Sequence, residues 1–93
     1  MDLIDVRVEH FQDLVGQDFQ LVNSDVRFKL LEAKSQNTRP GATRTAFVLL
    51  FSCPAPAPQG AYLLHHEALG QLEIFLVPIQ QDGAGVQLEA IFT

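Results

Sequence analysis

The spacing of apolar positions along this chain changes once, at Gly16. Before it, Phe11, Leu14 and Val15 stand at i, i+3 and i+4, on one face of a helix, and Gly16 sits where a left-handed C-terminal cap belongs. The pattern predicts a short helix near 9–15. A helix of one or two turns does not persist alone in water, so its apolar face is expected to plug the open end of a sheet or barrel. After Gly16 the period is two. Phe19 and Leu21 alternate with Asp18 and Gln20, which predicts a strand near 18–22 closed by the turn residues Asn23-Ser24-Asp25. Val26, Phe28 and Leu30 then alternate with Arg27 and Lys29 in a strand near 26–34 whose cationic side faces water. Leu30 and Leu31 break the alternation. A slip of one residue exchanges inward and outward side chains, so a bulge or a change of face is expected there.

Ser35–Thr43 is polar, contains Pro40-Gly41, and reads as a mobile loop that leaves open whether it carries function. Thr45–Cys53 (TAFVLLFSC) is apolar on both faces and predicts a strand near 45–53, covered on both sides or lying against a partner. The alternating prolines of Pro54–Gln59 fix an extended connector outside the sheet. Three further strands are predicted near 61–66, 71–79 and 86–92, joined by Glu67–Gly70 and Gln80–Gly85, each connector ending in glycine. A four-residue first connector would set Leu63 and His65 on the face of Leu72, Ile74 and Leu76. Tyr62, Leu64 and His66 would then share the other face with Gln71, Glu73 and Phe75.

No predicted helix is long enough for a parallel crossover, so the six strands are expected to be antiparallel. The fold class is all-β: a small antiparallel barrel or two-layer sandwich with a short N-terminal helix, one domain over 1–93. No internal repeat of useful period is present.

Charge narrows the partners. Six Lys and Arg against eleven Asp and Glu give a net charge of −5. Duplex nucleic acid and anionic lipid are held mainly by Lys and Arg, so neither nucleic acid nor membrane is expected as a partner. The one cysteine, Cys53, cannot form an internal disulfide. The start Met1-Asp2-Leu3-Ile4-Asp5 is acidic and unlike a signal peptide. The longest apolar run, Ala46–Phe51, is six residues, against the roughly 20 that a membrane-crossing helix needs. A cytoplasmic protein when made is the expectation, with export by a signal-free route left open.

Several stretches resemble a family of small bacterial proteins known as a domain of unknown function. They are Phe11-Gln12-Asp13-Leu14-Val15-Gly16-Gln17-Asp18-Phe19, then Phe47-Val48-Leu49-Leu50-Phe51. The likeness continues in Gly60-Ala61-Tyr62-Leu63-Leu64-His65-His66 with the Glu67-Ala68-Leu69-Gly70 turn, in Phe75-Leu76-Val77-Pro78-Ile79, and in Leu88-Glu89-Ala90-Ile91-Phe92. It spans nearly the whole chain and departs from the family at His66-Glu67-Ala68, where a proline is expected soon after the histidine. The resemblance implies a standalone domain encoded beside tail-fibre-like or collar-like proteins. It carries no catalytic residues onto this sequence.

The residues offer little chemistry of their own. His65, His66 and Glu73, with His10 elsewhere, form the one combination with metal-ligand character. Adjacent strand residues point to opposite faces, so His65 and His66 cannot share an ion without a bulge, and His66 would meet Glu73 only diagonally. A hydrogen-bonded or solvated histidine is the plainer reading. Cys53 has no base at a telling spacing, and Ser24, Ser35 and Ser52 lack a G-x-S-x-G context. Gly83 and Gly85 belong to a turn, not to a phosphate loop. A nucleic-acid-binding barrel would need exposed aromatics in a basic groove. Here Trp is absent, Tyr62 is the one tyrosine, and Arg27, Lys29, Lys34, Arg39 and Arg44 read as a solvated cationic face. No catalytic residue and no cofactor is expected. Thr45–Cys53 and Gln71–Ile79 carry more large apolar side chains than a small sandwich holds inside. The expected function is therefore a noncatalytic protein-interaction or assembly module, self-associating or bound to a partner, as an accessory to tail-fibre-like or surface-structure proteins. The alternative is a small ligand- or metal-binding β-barrel using His65, His66 and Glu73.

Overall fold

The computed structural model describes residues 6–36, 40–41, 45–83 and 85–93. A short helix, α1 (Val8–Gln12), precedes six strands: β1 (Asp18–Leu21), β2 (Arg27–Ser35), β3 (Phe47–Cys53), β4 (Gly60–His66), β5 (Gly70–Asp82) and β6 (Gly85–Phe92). They close into a barrel in the order β1-β2-β3-β6-β5-β4, with every pairing antiparallel. The barrel consists of two three-stranded meanders, β1-β2-β3 and β4-β5-β6, joined by the β3–β6 and β1–β4 pairings. Exchanging the meanders leaves the pairing scheme unchanged, a two-fold topology that no sequence repeat announces.

Closure fixes which side chains enter the core. Phe47, Leu49, Phe51 and Cys53 of β3 point inward, opposite Phe92, Ala90, Leu88 and Val86 of β6. Among the described residues no polar or charged side chain is buried, and large apolar side chains such as Phe11, Phe28, Phe51 and Leu88 pack the interior. Leu31 is the predicted bulge: the register shifts between Leu30 and Glu32, so the inward Leu30 is followed by a partly buried Ala33. Regular pairing through Leu31 would aim Glu32 and Lys34 at the core. Instead both lie outside, 3.3 Å apart as an ion pair. A second shift, between Pro78 and Gln80, leaves Ile79 exposed on β5.

Each end of the barrel is stoppered by a different device. At one end Phe11 of α1 is fully buried, with its ring centroid 6.2 Å from Phe19, 5.9 Å from Phe47 and 6.2 Å from Phe92. Phe47 and Phe92 are themselves stacked at 4.5 Å. At the other end the proline-rich connector buries Ala57, and the Tyr62 hydroxyl donates a hydrogen bond to the Pro58 carbonyl. The Tyr62 ring lies 5.3 Å from Phe28.

Several boundaries differ from the sequence expectation. The helix ends at Gln12, so its docking face is Val8 and Phe11 with Val6 and Leu14 beside them, while Val15 is 45% exposed. Gly16 does adopt a positive φ, of 90°. The connector after β4 holds three residues, Glu67-Ala68-Leu69, because His66 pairs with Gly70. That one-residue difference reverses the expected faces: Leu64 points in with Leu72 and Ile74, whereas Leu63 and His65 point out with Gln71 and Glu73. The next hairpin is tighter than Gln80–Gly85, since Asp82 pairs with Gly85 and the strands run nearly to the tip. Gly85 is at φ 140°, and a side chain there would collide with the Cys53 carbonyl. Of the expected Ser35–Thr43 loop, Ser35 belongs to β2, and residues 37–39 and 42–43 lie outside the described residues, as do 1–5, 44 and 84.

Two outcomes follow from the stoppers. Phe11→Ala opens a cavity under three aromatic rings and is expected to cost about 3–5 kcal/mol in denaturant unfolding, a large share of the stability of a domain this size. Burial raises the Tyr62 phenol above the ordinary 10.0, with a further contribution from nearby Cys53. The folded chain thus holds that proton more tightly than the unfolded one. Its contribution to stability is complete below about pH 10 and is lost as pH rises through the raised value. With one tyrosine and no tryptophan, phenolate absorbance reports this group alone. The midpoint is expected above that of the denatured chain, and Tyr62→Phe should blunt the alkaline loss of stability.

Candidate functional site

The histidine pair is split by the strand that carries it. His66 turns toward the barrel, its ring centroid 4.9 Å from Phe19. Its Nδ1 accepts the Ala68 backbone N–H at 3.0 Å, which leaves the proton on Nε2, 2.7 Å from Gln17 Oε1. Nδ1 is thereby committed to the β4–β5 turn, and Nε2 ties that turn to the segment leading into β1. His65 points outward, opposite Gln20 of β1 and Gln71 of β5. Glu73 shares that outer face, opposite Leu63, so the predicted diagonal contact of His66 with Glu73 is replaced by a diagonal relation of His65 with Glu73. His10 caps α1, its Nδ1 accepting the Arg7 N–H at 2.9 Å. Among the described residues no three His, Cys, Asp or Glu side chains converge as a metal site. The trio His65, His66 and Glu73 is therefore not brought together, because strand alternation puts the two histidines on opposite sides of one wall and the three-residue connector leaves Glu73 on the side of His65.

The nucleophile candidates are equally separated. Cys53 is buried at the end of β3. Ser24 accepts the Val26 N–H and shapes the β1–β2 turn. Ser52 lies on the outer face, where sequence reasoning had given it no role. There it belongs to a polar row running strand to strand: Asp18 opposite Lys29, Lys29 opposite Ser52, Ser52 opposite Gln87, and Gln87 opposite Gln80. A cleft of about 420 Å³ lies over this row, and a second of about 490 Å³ lies over β1 between Arg27 and His65. Period-two alternation marks these residues as outward. Their alignment across five strands depends on the pairing order, which no local pattern encodes.

The outer wall also exposes large apolar side chains. Phe75 and Ile91 are 54% and 62% exposed, and Ile79 and Leu63 are also exposed. Phe75 pairs with Ala61 and lies diagonal to Leu63, while Ile91 pairs with the half-buried Val48. Continuing the Val77–Glu89 register by two residues sets Phe75 toward Ile91. Six of the seven phenylalanines are inside, and Phe75 is the one turned out. No described helix is long and apolar enough to cross a membrane.

No curated protein and no solved structure matches the chain. A family model covers residues 6–92, from the first plug residue to the last residue of β6, and the chain belongs to that family, described as Domain of unknown function (DUF6916).

Proposed function

We propose that the chain is a noncatalytic protein-interaction or assembly module that docks through the outer wall of β4, β5 and β6, centred on Phe75. The observation that carries this reading is the position of Phe75, outward and 54% exposed on a barrel that takes in every other phenylalanine. Covering a side chain of this kind contributes about 1.5–3 kcal/mol, and Ala61, Leu63 and Ile91 extend the patch on either side. The charge of −5 favours a protein surface over nucleic acid or anionic lipid. A place beside tail-fibre-like or surface-structure proteins fits the family resemblance, and the acidic start Met1–Asp5, unlike a signal peptide, fits work in the cytoplasm.

The occupant most directly testable is a second copy of the chain. Equal net charges oppose that association, so added salt should strengthen it. Sedimentation at micromolar concentration is expected to show a concentration-dependent mass for the wild type and a monomer for Phe75→Lys, with unchanged unfolding because Phe75 lies outside the core. A wild type that stays monomeric at high salt, or a Phe75→Lys variant that associates equally, would overturn the reading.

A further inference from the structure

A second binding surface, separate from the Phe75 wall, lies in the 420 Å³ cleft over the polar row. Its volume falls in the range of small-ligand sites, roughly 300–1,000 Å³. Arg27 and Lys29 stand side by side on the outer face of β2 and both line it. Two like charges at neighbouring positions repel, and the chain has eleven acidic residues with which to relieve them. It does not do so. Among the described residues the ion pair is Lys34 with Glu32, and Arg27 and Lys29 join none, although Asp18 faces Lys29 directly across the β1–β2 ladder. Beyond the two cations the row supplies the Ser52 hydroxyl and the amide groups of Gln87 and Gln80, each able to donate or accept.

Charge and shape select the ligand. Asp18 and Asp82 also border the cleft, so its formal charge is zero. The further charges of a polyanion would meet Asp18 and Asp82, whereas a single carboxylate set against Arg27 and Lys29 is held by the forked guanidinium and the ammonium together. Side-chain amides and a hydroxyl in line beside the cations are the partners that peptide N–H and C=O groups take. We propose that the cleft binds the free C-terminal carboxylate of an extended peptide, with the carboxylate on Arg27 and Lys29 and the preceding amides on Ser52, Gln87 and Gln80.

Amide NMR shifts of the full-length chain, titrated with N-acetylglycylglycine, with its carboxamide, and with inorganic phosphate, test this assignment. The acid is expected to move the amides of Arg27, Lys29, Ser52 and Gln87 saturably, and the carboxamide to leave them in place. Arg27→Gln with Lys29→Gln should weaken the acid at least about tenfold, equivalent to about 1.4 kcal/mol, while Lys34→Gln should not change it. The exposed positions of both cations and an unchanged spectrum elsewhere separate this loss from misfolding. Equal titration by acid and carboxamide, or by phosphate and acid, would overturn the peptide assignment. So would the absence of saturable shifts at these four residues. None of these results bears on Phe75, so the two surfaces stand or fall separately.

Discussion

Every strand of this barrel is clamped between two neighbours, and that closure makes side-chain parity the constraint on which the rest depends. In an open sheet an edge strand can shift its register at small cost. In the closed wall β1-β2-β3-β6-β5-β4 a shift would drive charged groups into a core that, among the described residues, offers them no buried polar partner. The bulge at Leu31 shows the constraint at work. Four residues beyond it, Glu32–Ser35, alternate out of phase with Phe28 and Leu30, and the extra residue absorbs the difference.

The interior is packed with apolar side chains. Aromatic rings from β1, β3 and β6 meet Phe11 at one end, and Ala57 and Tyr62 lie at the other. The outer wall carries two chemistries. Around Phe75 the apolar side chains of Leu63 and Ile91 stand among polar neighbours such as Glu73. Along Lys29, Ser52 and Gln87 the outward positions are polar, over a cleft bordered by the protruding β5–β6 hairpin. One barrel thus carries two surfaces with little overlap in the partners they suit.

Much of this was legible in the residues because period-two alternation reports directly on burial. Phe19, Phe28 and Leu30, the slip at Leu31, the positive φ of Gly16 and the inward run Val86, Leu88, Ala90, Phe92 all follow from local pattern, although the helix itself is capped earlier, at Asp13. The faces of β4 did not, because they depend on whether the turn after His66 holds three residues or four. Glu67-Ala68-Leu69-Gly70 suits either length, and the three-residue turn seen is closed by the Leu69 N–H on the His66 carbonyl and by the His66 ring on Ala68. The polar cleft was hidden for a different reason. Ser52, Gln87 and Lys29 are far apart in sequence and become neighbours only through the β3–β6 and β2–β3 pairings. The metal-ligand reading of His65, His66 and Glu73 failed at the same turn, since parity separates the two histidines and the connector length decides which one faces Glu73.

Denaturant unfolding of two single-residue deletions tests the parity constraint most directly. Removing Leu31 leaves Leu30, Glu32 and Ala33 opposite Phe51, Leu50 and Leu49 in an unbroken ladder. That variant should fold cooperatively with a loss of about 1–2 kcal/mol for one half-buried leucine. Removing Leu50 from β3, which has no bulge to surrender and is paired on both sides, reverses the phase of half the strand and should abolish the cooperative transition. Equal stability of the two deletions, or unfolding of the Leu31 deletion alone, would contradict the account.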